Sequence, residues 1–263
     1  NGGAANGPGH RMPFGLVLSR MGNLMSRLIA AMMMPALFAS LAHAAGIDPA
    51  CDAPDPQVTL QSMPAAQPLH AAEAVWLDHR TLRWPGSAAG GTYKLYHHPA
   101  GAVMAVVGAP VSGAAAAITM LPAEAALSPA ASLRFKFVGE GVTLALPAVS
   151  QARETVAALL KQQLVLVEEN AAGIVLRATR LQIAGALDSL YAAAASAADF
   201  GVKAAPRQAS FKVWAPTASH VGVCIYADGK RGANRYLDLA ADIETGTWSA
   251  RVDGDMRGRY YAY

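Results

Sequence analysis

A period of two in residues 210–263 is the feature that most constrains the fold of this chain. Val221, Val223 and Ile225 alternate with residues of a different size or polarity, and residues 248–252 repeat the alternation. Successive side chains of a β-strand point to opposite faces, so this spacing places one set on the core face of a sheet. Short Asp-Gly and Thr-Gly turns separate the runs, and these residues suit the backbone of tight turns. The pattern predicts a small antiparallel β-sandwich.

The same kind of alternation predicts a second β-sandwich upstream. Its predicted strands cover residues 74–78, 81–86, 92–98 and 133–137. In the last of these, Phe135 and Phe137 take inward positions and the neighbouring cations take outward ones. Farther along, two apolar runs flank Asn170–Gly173, whose residue types suit a hairpin turn. Several short strands with Gly and Pro turns between them are typical of a sandwich.

Two segments follow a helical pattern instead. Val156 recurs four residues after Ala152, behind a possible Ser150 cap, and Glu154 lies near the positive end of the predicted helix. Residues 184–199 are rich in alanine, the strongest helix former. We therefore expect one short helix within the upstream domain and an alanine-rich helical connector between the domains.

The composition is that of a folded globular protein, with 53% hydrophobic and 15% charged residues. The formal net charge is +3, and the Lys and Arg residues are scattered along the chain. Nucleic-acid binding usually needs a clustered basic surface, often with interleaved aromatic residues. We therefore expect no nucleic-acid partner.

Residues 25–44 have the pattern of a secretory signal peptide. Ser26-Arg27 is a short positive region, residues 28–41 are apolar, and Ala42-His43-Ala44 fits a small-x-small cleavage site. The residues ahead of Met25 are interpreted as translated upstream sequence. The apolar run is shorter than the ~20 residues of a membrane-spanning helix, and no later stretch is longer. We expect cleavage near Ala44, a secreted or periplasmic protein and no membrane span.

Three motifs carry a family resemblance. Residues 211–218 read FKVWAPTA, residues 246–248 read GTW, and residues 258–263 read GRYYAY. In this order they resemble the immunoglobulin-like domain, a family 48 carbohydrate-binding module, that precedes the catalytic barrel in starch-debranching and branching enzymes of the α-amylase superfamily. Because Tyr263 falls inside the last strand of that pattern, we expect the chain to be the front part of a longer protein.

Two upstream blocks narrow the resemblance. Glu73–Pro85 is similar to the start of the domain that lies ahead of the immunoglobulin-like module in bacterial pullulanases of the α-1,6-glucosidase type, and Gln182–Ala192 is similar to the connector of that family. The resemblance implies a retaining hydrolase that cleaves α-1,6 branch points with a carboxylate nucleophile and a carboxylic acid proton donor in its barrel. None of the barrel's motifs occurs in this chain.

Cys51 and Cys224 are the only cysteines. An oxidising compartment permits a bridge between them. However, Cys51 lies in a start rich in Asp and Pro, far along the chain from Cys224 on its predicted strand, so we expect no bridge and keep the bridge as the alternative. The family resemblance adds a lipid anchor on Cys51 as a further alternative, although residues 48–50 depart from the pattern that such processing requires.

No residue cluster in the sequence predicts catalysis, a metal or a cofactor. Glu168 and Glu169 are adjacent on a predicted strand, so their side chains point to opposite faces, and we interpret them as solvated hairpin charges. His97 and His98 lack the further ligands that zinc requires. We therefore predict no catalytic residue, no metal and no cofactor.

Carbohydrate contact is the remaining chemistry, and it needs a solvent-facing aromatic ring beside polar groups. The candidates are Trp84, next to a strand-ending proline, together with Trp248 and Tyr260 in the second module. Trp214 and Trp248 lie in alternating strands, where packing in the core is the favoured interpretation. For Trp84, burial and sugar contact are equally supported.

The predicted fold is mainly β, with two tandem antiparallel β-sandwich domains, the second of them immunoglobulin-like. The predicted organisation is an upstream segment with signal peptide (1–44), a linker (45–70), an amino-terminal β-domain (71–181), a connector (182–209) and the immunoglobulin-like module (210–263).

The favoured function is the non-catalytic amino-terminal region of a secreted pullulanase, with α-glucan and its own catalytic barrel as partners. The first alternative is a free-standing α-glucan-binding or scaffolding protein. The second is an isoamylase or branching enzyme, against which the signal peptide and the block at residues 73–85 both count.

Overall fold

The computed structural model describes residues 49–52, 70–88, 90–123, 129–229 and 232–263. The predicted signal peptide and most of the predicted linker lie outside the described residues. In chain order the strands are β1 Ala74–Trp76, β2 Thr81–Pro85, β3 Thr92–His98, β4 Ala116–Thr119, β5 Leu121–Pro122, β6 Gly141–Ala145, β7 Gln163–Glu169, β8 Val175–Thr179, β9 Leu181–Gln182, β10 Gly201–Ala205, β11 Gln208–Trp214, β12 Gly222–Tyr226, β13 Arg235–Asp238, β14 Ala240–Asp242, β15 Thr247–Asp253 and β16 Tyr260–Ala262. The α-helices are α1 Pro129–Arg134, α2 Arg153–Leu159 and α3 Ala184–Leu190, and short 3₁₀ turns cover Pro49–Asp52, Ala148–Ser150 and Ala192–Ser196.

The first domain is a sandwich of two sheets with strand orders β5-β6-β2-β1-β9 and β4-β3-β7-β8. Its pairings are antiparallel except that β9 runs parallel to β1. The inner faces and the helices α2 and α3 enclose one core, in which Trp76, Trp84, Tyr93, Leu144 and Leu166 are buried. The predicted hairpin is present, because the Asn170 side chain accepts hydrogen bonds from the turn backbone between β7 and β8.

The second domain pairs the sheet β10-β11-β15-β14 with the smaller sheet β13-β12-β16. Phe211, Val223, Ile225, Trp248 and Val252 form the core between the two sheets. The alternation read from the sequence is confirmed, since the odd-numbered residues of β12 point inward. The mainly β fold with an immunoglobulin-like second domain is confirmed as well.

The predicted strand at residues 133–137 is wrong. These residues form the end of α1 and the turn that follows it. Proline suits the first helical position because its fixed φ matches the helix and its missing N–H has no partner to lose there, so Pro129 starts this helix. Phe135 is buried under the Arg134 guanidinium, whereas Phe137 is exposed. An alternation of five residues is too short to outweigh these helix signals.

The two helical predictions are confirmed in part. Helix α2 buries Val156 and Leu159 as expected, but its N-cap is Ala152 rather than Ser150, without a side-chain hydrogen bond. Helix α3 covers only the first half of the alanine-rich stretch, and it packs Ala186 and Leu190 into the first domain's core. Among the described residues, no helix is both long and apolar enough to cross a membrane.

Cys51 and Cys224 form a disulfide, so the expectation of unbridged cysteines is wrong. Cys224 is an outward residue of β12, and the turn at Pro49–Asp52 lies against it. The Tyr226 hydroxyl donates a hydrogen bond to the Cys51 carbonyl oxygen (2.6 Å), and the Ala233 N–H donates one to the Asp52 carboxylate (2.7 Å). The structure thus attaches a segment from ahead of the first domain to the second domain.

Candidate functional site

The outer face of the sheet β13-β12-β16 combines aromatic and polar side chains. Residues directly opposite each other in an antiparallel pair lie on the same face. Tyr226 lies opposite Tyr260, and Cys224 lies opposite Tyr236. Since Val223 and Ile225 point into the core, these tyrosines point outward. We call Tyr226, Tyr236 and Tyr260, with the flanking His220 and Asp238, the tyrosine face.

Tyr260 is the sequence-predicted contact residue that the structure places in solvent. Its side chain is 59% exposed on the edge strand β16. Gly229 lies beside the Tyr260 ring: a Cβ added at Gly229 would lie 3.8 Å from the nearest ring atoms. The neighbouring Tyr261 points the other way and packs edge-on against Phe211 (5.5 Å between ring centroids). Tyr260 therefore offers ring surface to a ligand on the tyrosine face, whereas Tyr261, itself 41% exposed, contacts Phe211 on the other face of the strand.

Tyr236 lies flat against the sheet because Gly222 has no side chain. A Cβ at Gly222 would lie 2.3–2.6 Å from the Tyr236 ring and hydroxyl. The Tyr236 hydroxyl donates to Asp238 (2.8 Å), and the His220 ring nitrogen lies 2.7 Å from the same carboxylate oxygen. The hydrogen bond from Tyr236, followed by that from His220, lowers the pKa of Asp238 below its usual value. An ionised carboxylate thus stands beside the Tyr236 ring.

Trp84, a candidate for sugar contact, is not available to a ligand, and of the two interpretations that the sequence supported equally the structure shows burial. Its side chain is 0% exposed. Its indole N–H donates to Glu73 (3.2 Å), the Arg177 guanidinium covers the ring (4.6 Å to the centroid), and Tyr93 packs against its edge. The proline after Trp84 ends the strand without exposing the ring. Trp84 is a core residue of the first domain.

The sequence favoured a core position for both Trp248 and Trp214, but the structure buries only Trp248. Trp248 is only 8% exposed and donates its indole N–H to the Ala215 carbonyl (2.9 Å), as the favoured core interpretation required. Trp214 is 41% exposed, so its assignment to the core is wrong. Its indole N–H donates to the Thr245 carbonyl (2.9 Å). The sequence spacing could have predicted this exposure. Trp214 stands three residues after the buried Phe211, and residues an odd number of positions apart on a strand point to opposite faces.

The carboxylates considered for catalysis have structural partners. Glu169 is buried, where it pairs with the Lys94 ammonium (2.8 Å) and accepts a hydrogen bond from the Tyr96 hydroxyl. The interpretation of Glu169 as a solvated charge is therefore wrong.

The histidine pair considered for zinc also has a structural partner. The His97 ring nitrogen contacts the Gln162 side chain (2.8 Å). Within the described ranges, no three His, Cys, Asp or Glu residues are grouped so as to hold a metal ion.

A β-sandwich that exposes an aromatic ring on an outer sheet face is a construction that suits carbohydrate contact. Comparison with known families agrees: residues 199–263 match carbohydrate-binding module 48, the isoamylase N-terminal domain, and residues 71–189 match the pullulanase N2 domain. The chain carries these two domains and, through them, resembles the amino-terminal, non-catalytic region of pullulanases.

Individual relatives support the same assignment. A pullulanase of Klebsiella pneumoniae is 31% identical over 192 residues, which cover 73% of this chain and 17% of the relative. Pullulanase 1 of Arabidopsis thaliana, a chloroplastic protein, is 32% identical over 105 residues, 40% of this chain and 10% of its own. The crystal structure of Klebsiella pneumoniae pullulanase complexed with maltotriose superposes with a TM-score of 0.63 at 30% identity, covering 75% of this chain and 18% of that chain. The resemblance to pullulanases is confirmed, and the chain spans less than a fifth of these relatives.

Proposed function

We propose that this chain is the glucan-contacting amino-terminal region of a secreted pullulanase that hydrolyses α-1,6 linkages in pullulan, starch or limit dextrins. The observation that carries the proposal is the Tyr260 ring, which is 59% exposed on the tyrosine face. In this proposal the chain supplies substrate contact, and the parent's own catalytic barrel supplies the chemistry.

The chemistry of the tyrosine face suits a neutral polyhydroxy ligand. A glucosyl ring has apolar C–H surfaces that pack against an aromatic ring, while its hydroxyls need hydrogen-bond acceptors and donors. Tyr260 supplies the apolar surface at one end of β12, and the Asp238 carboxylate and the Tyr236 hydroxyl supply polar groups at the other end, so one glucosyl unit contacts one group or the other and a longer glucan is needed to contact both. A β-sheet face holds these groups on a rigid support, which reduces the entropy lost on binding.

The disulfide supports the secreted location. Structural disulfides persist in oxidising compartments and are rare in the cytosol. Here the only two cysteines are joined across 173 residues of sequence. Together with the signal-peptide pattern at residues 25–44, this bridge favours export of the chain to the periplasm or the cell exterior.

The proposal predicts that Tyr260 contributes to glucan affinity. We expect Tyr260→Ala to weaken binding of the purified chain to pullulan about fivefold to tenfold, the equivalent of about 1–1.4 kcal/mol for one lost aromatic contact. Retardation in a pullulan-containing native gel, followed by calorimetry with maltotriose, measures this. The chain itself should release no reducing sugar from pullulan.

Two variants serve as matched controls for Tyr260→Ala. Tyr260→Phe keeps the ring and should keep most of the affinity. Trp214→Ala removes an exposed ring from the opposite sheet and should leave the affinity unchanged. Full affinity in Tyr260→Ala together with a loss in Trp214→Ala would show that the glucan contacts the sheet that carries Trp214, and would contradict our proposal.

A further inference from the structure

A cleft with a volume of about 250 Å³ lies between the two domains. One wall is the helix α2 of the first domain. The other wall is the chain around the turn between β14 and β15 of the second domain, with the ring of Trp248 behind it. We call this space the interdomain cleft. It is separate from the tyrosine face, which belongs to the other sheet of the second domain.

Arg153 holds the two walls together. Its guanidinium donates hydrogen bonds to the Leu190 carbonyl in the first domain and to the Ile243 and Glu244 carbonyls in the second (3.3 and 2.8 Å). The same group covers the Tyr191 ring at 5.4 Å. The cleft therefore exists before a ligand arrives, and a preformed site avoids the cost of ordering its walls on binding.

Gly246 brings the walls into close contact at one end of the cleft. Its φ of +67° suits glycine, and a Cβ there would lie 2.7 Å from Pro216 and 3.0 Å from the Tyr191 ring. Backbone and ring packing close this end of the cleft.

The lining combines an apolar floor with a charged rim. Alanines of α2, Pro216 and the edges of the Tyr191 and Trp248 rings form the apolar part. The rim carries two cations and three carboxylates, namely Arg153, Lys161, Glu154, Asp242 and Glu244. The Lys161 ammonium lies 5.8 Å from the centroid of the Trp248 ring. Charges of both signs in nearly equal number favour a neutral ligand with many hydroxyls over an anion or a cationic peptide.

The volume limits the size of that ligand. Pockets for drug-sized molecules are about 300–1,000 Å³ and occur preferentially at domain interfaces. A space of about 250 Å³ is too small for a helix or a folded peptide and admits one sugar ring, or two at most.

We propose that the interdomain cleft is a second carbohydrate subsite that takes a terminal glucosyl unit of an α-glucan, with the charged rim bonding its hydroxyls and the apolar floor packing against its C–H face. The choice of glucan as the ligand class rests on the proposed function. The site itself rests on the cleft and its lining.

The test uses fluorine NMR of the whole chain labelled with 5-fluorotryptophan. The chain has four tryptophans, and Trp248→Phe assigns the resonance of the one at the cleft. We expect maltotriose to shift the Trp248 resonance saturably, whereas inorganic phosphate leaves it unchanged. The buried Trp76 and Trp84 are internal references. A phosphate-induced shift without a maltotriose-induced one would overturn the proposal.

Filling the cleft supplies the decisive variant. Ala158 is exposed and lines the cleft, so Ala158→Phe should weaken the Trp248 response to maltotriose at least tenfold. Ala195→Phe adds the same ring at an exposed alanine outside the cleft and should keep the full response. Thermal melting of both variants checks that they are folded. An unchanged response in Ala158→Phe would overturn the proposal.

Tyr260→Ala separates a failure of this inference from a failure of the proposed function. A Trp248 shift that persists in Tyr260→Ala supports an independent cleft subsite. If maltotriose binds the tyrosine face while Trp248 does not respond, the cleft proposal alone fails. If neither site responds, the glucan function fails, and the cleft proposal fails with it.

Discussion

At the scale of single residues, one glycine determines how the tyrosine face is built. Gly222 lets the Tyr236 ring lie against the strand, and that position brings the Tyr236 hydroxyl onto Asp238. The hydrogen bond stabilises the charged form of the carboxylate, which lowers the pKa of Asp238. A backbone position without a side chain thus contributes to the lowered pKa of a neighbouring site residue.

We predict that Tyr236→Phe raises the pKa of Asp238 toward its usual value, because the first cause of the lowered pKa is removed. A pKa lowered by folding stabilises the native state above the unfolded pKa, and this contribution is lost as the pH falls through the folded pKa. The variant should therefore lose less stability than the parent as the pH falls below the usual aspartate pKa of 3.8. Carbon-detected NMR titration measures the pKa directly.

Asp255 is the internal control in that titration. Hydrogen bonds from Arg257 hold the pKa of Asp255 at about 2, and Tyr236 is not among the groups that shift it. It should titrate identically in parent and variant. An Asp238 pKa that does not move in Tyr236→Phe would show that the hydroxyl is not its main determinant.

At the scale of secondary-structure elements, helix α3 at the start of the alanine-rich segment packs closely onto β1 because its contact residues are small. Gly185 of α3 lies against the carbonyl oxygens of Trp76 and Leu77, where a Cβ would come within 2.3–2.4 Å. Ala186 and Leu190 complete the contact by entering the core. Because only a residue without a side chain permits this approach, α3 packs directly onto β1 as part of the first domain.

We predict that Gly185→Ala destabilises the chain by about 1–3 kcal/mol, the usual cost of overpacking, even though alanine is the better helix former. Urea unfolding measures the change. Gly139→Ala is the matched control, because the nearest atom to its added Cβ is Pro85 Cβ at 3.8 Å, an ordinary contact. Equal stability of the two variants would contradict the close packing of α3.

At the scale of the whole molecule, the disulfide and Arg153 together connect parts that are distant in sequence. Cys51 lies ahead of the first domain and is bonded to the second domain's β12. Arg153 joins α2 to the turn after β14. The first domain is therefore attached to the second in two ways: by the Arg153 hydrogen bonds at the interface, and by the disulfide of Cys51, which precedes the first domain in the chain.

We predict that the double variant Cys51→Ser with Cys224→Ser loses about 2–5 kcal/mol of stability, because the bridge restricts the unfolded chain over a long loop. Thermal melting with and without reductant measures the loss. Reductant should lower the Tm of the parent and leave the double variant unchanged. Two titratable thiols in the native, oxidised parent would contradict the bridge.

Local patterns predicted much of the fold, and their failures have physical causes. The alternation around Val223 and the hairpin at Asn170–Gly173 were correct because side-chain parity and turn chemistry act over a few residues. The strand at 133–137 was wrong because a short alternation competed with the helix start at Pro129. Tyr260 could be proposed as a contact from its motif, but only the tertiary structure shows that its ring faces solvent.

The sequence by itself determined the two β-domains, their order and their relationship to pullulanases, because these follow from local alternation and from motifs. Only the tertiary structure decided which aromatic rings face solvent: Trp84 is enclosed by Glu73, Arg177 and Tyr93, whereas Trp214 is open. It also decided that Cys51 meets Cys224 and that a cleft lies between α2 and the β14–β15 turn. These features depend on how sheets and domains stack, which brings together residues that no local pattern relates.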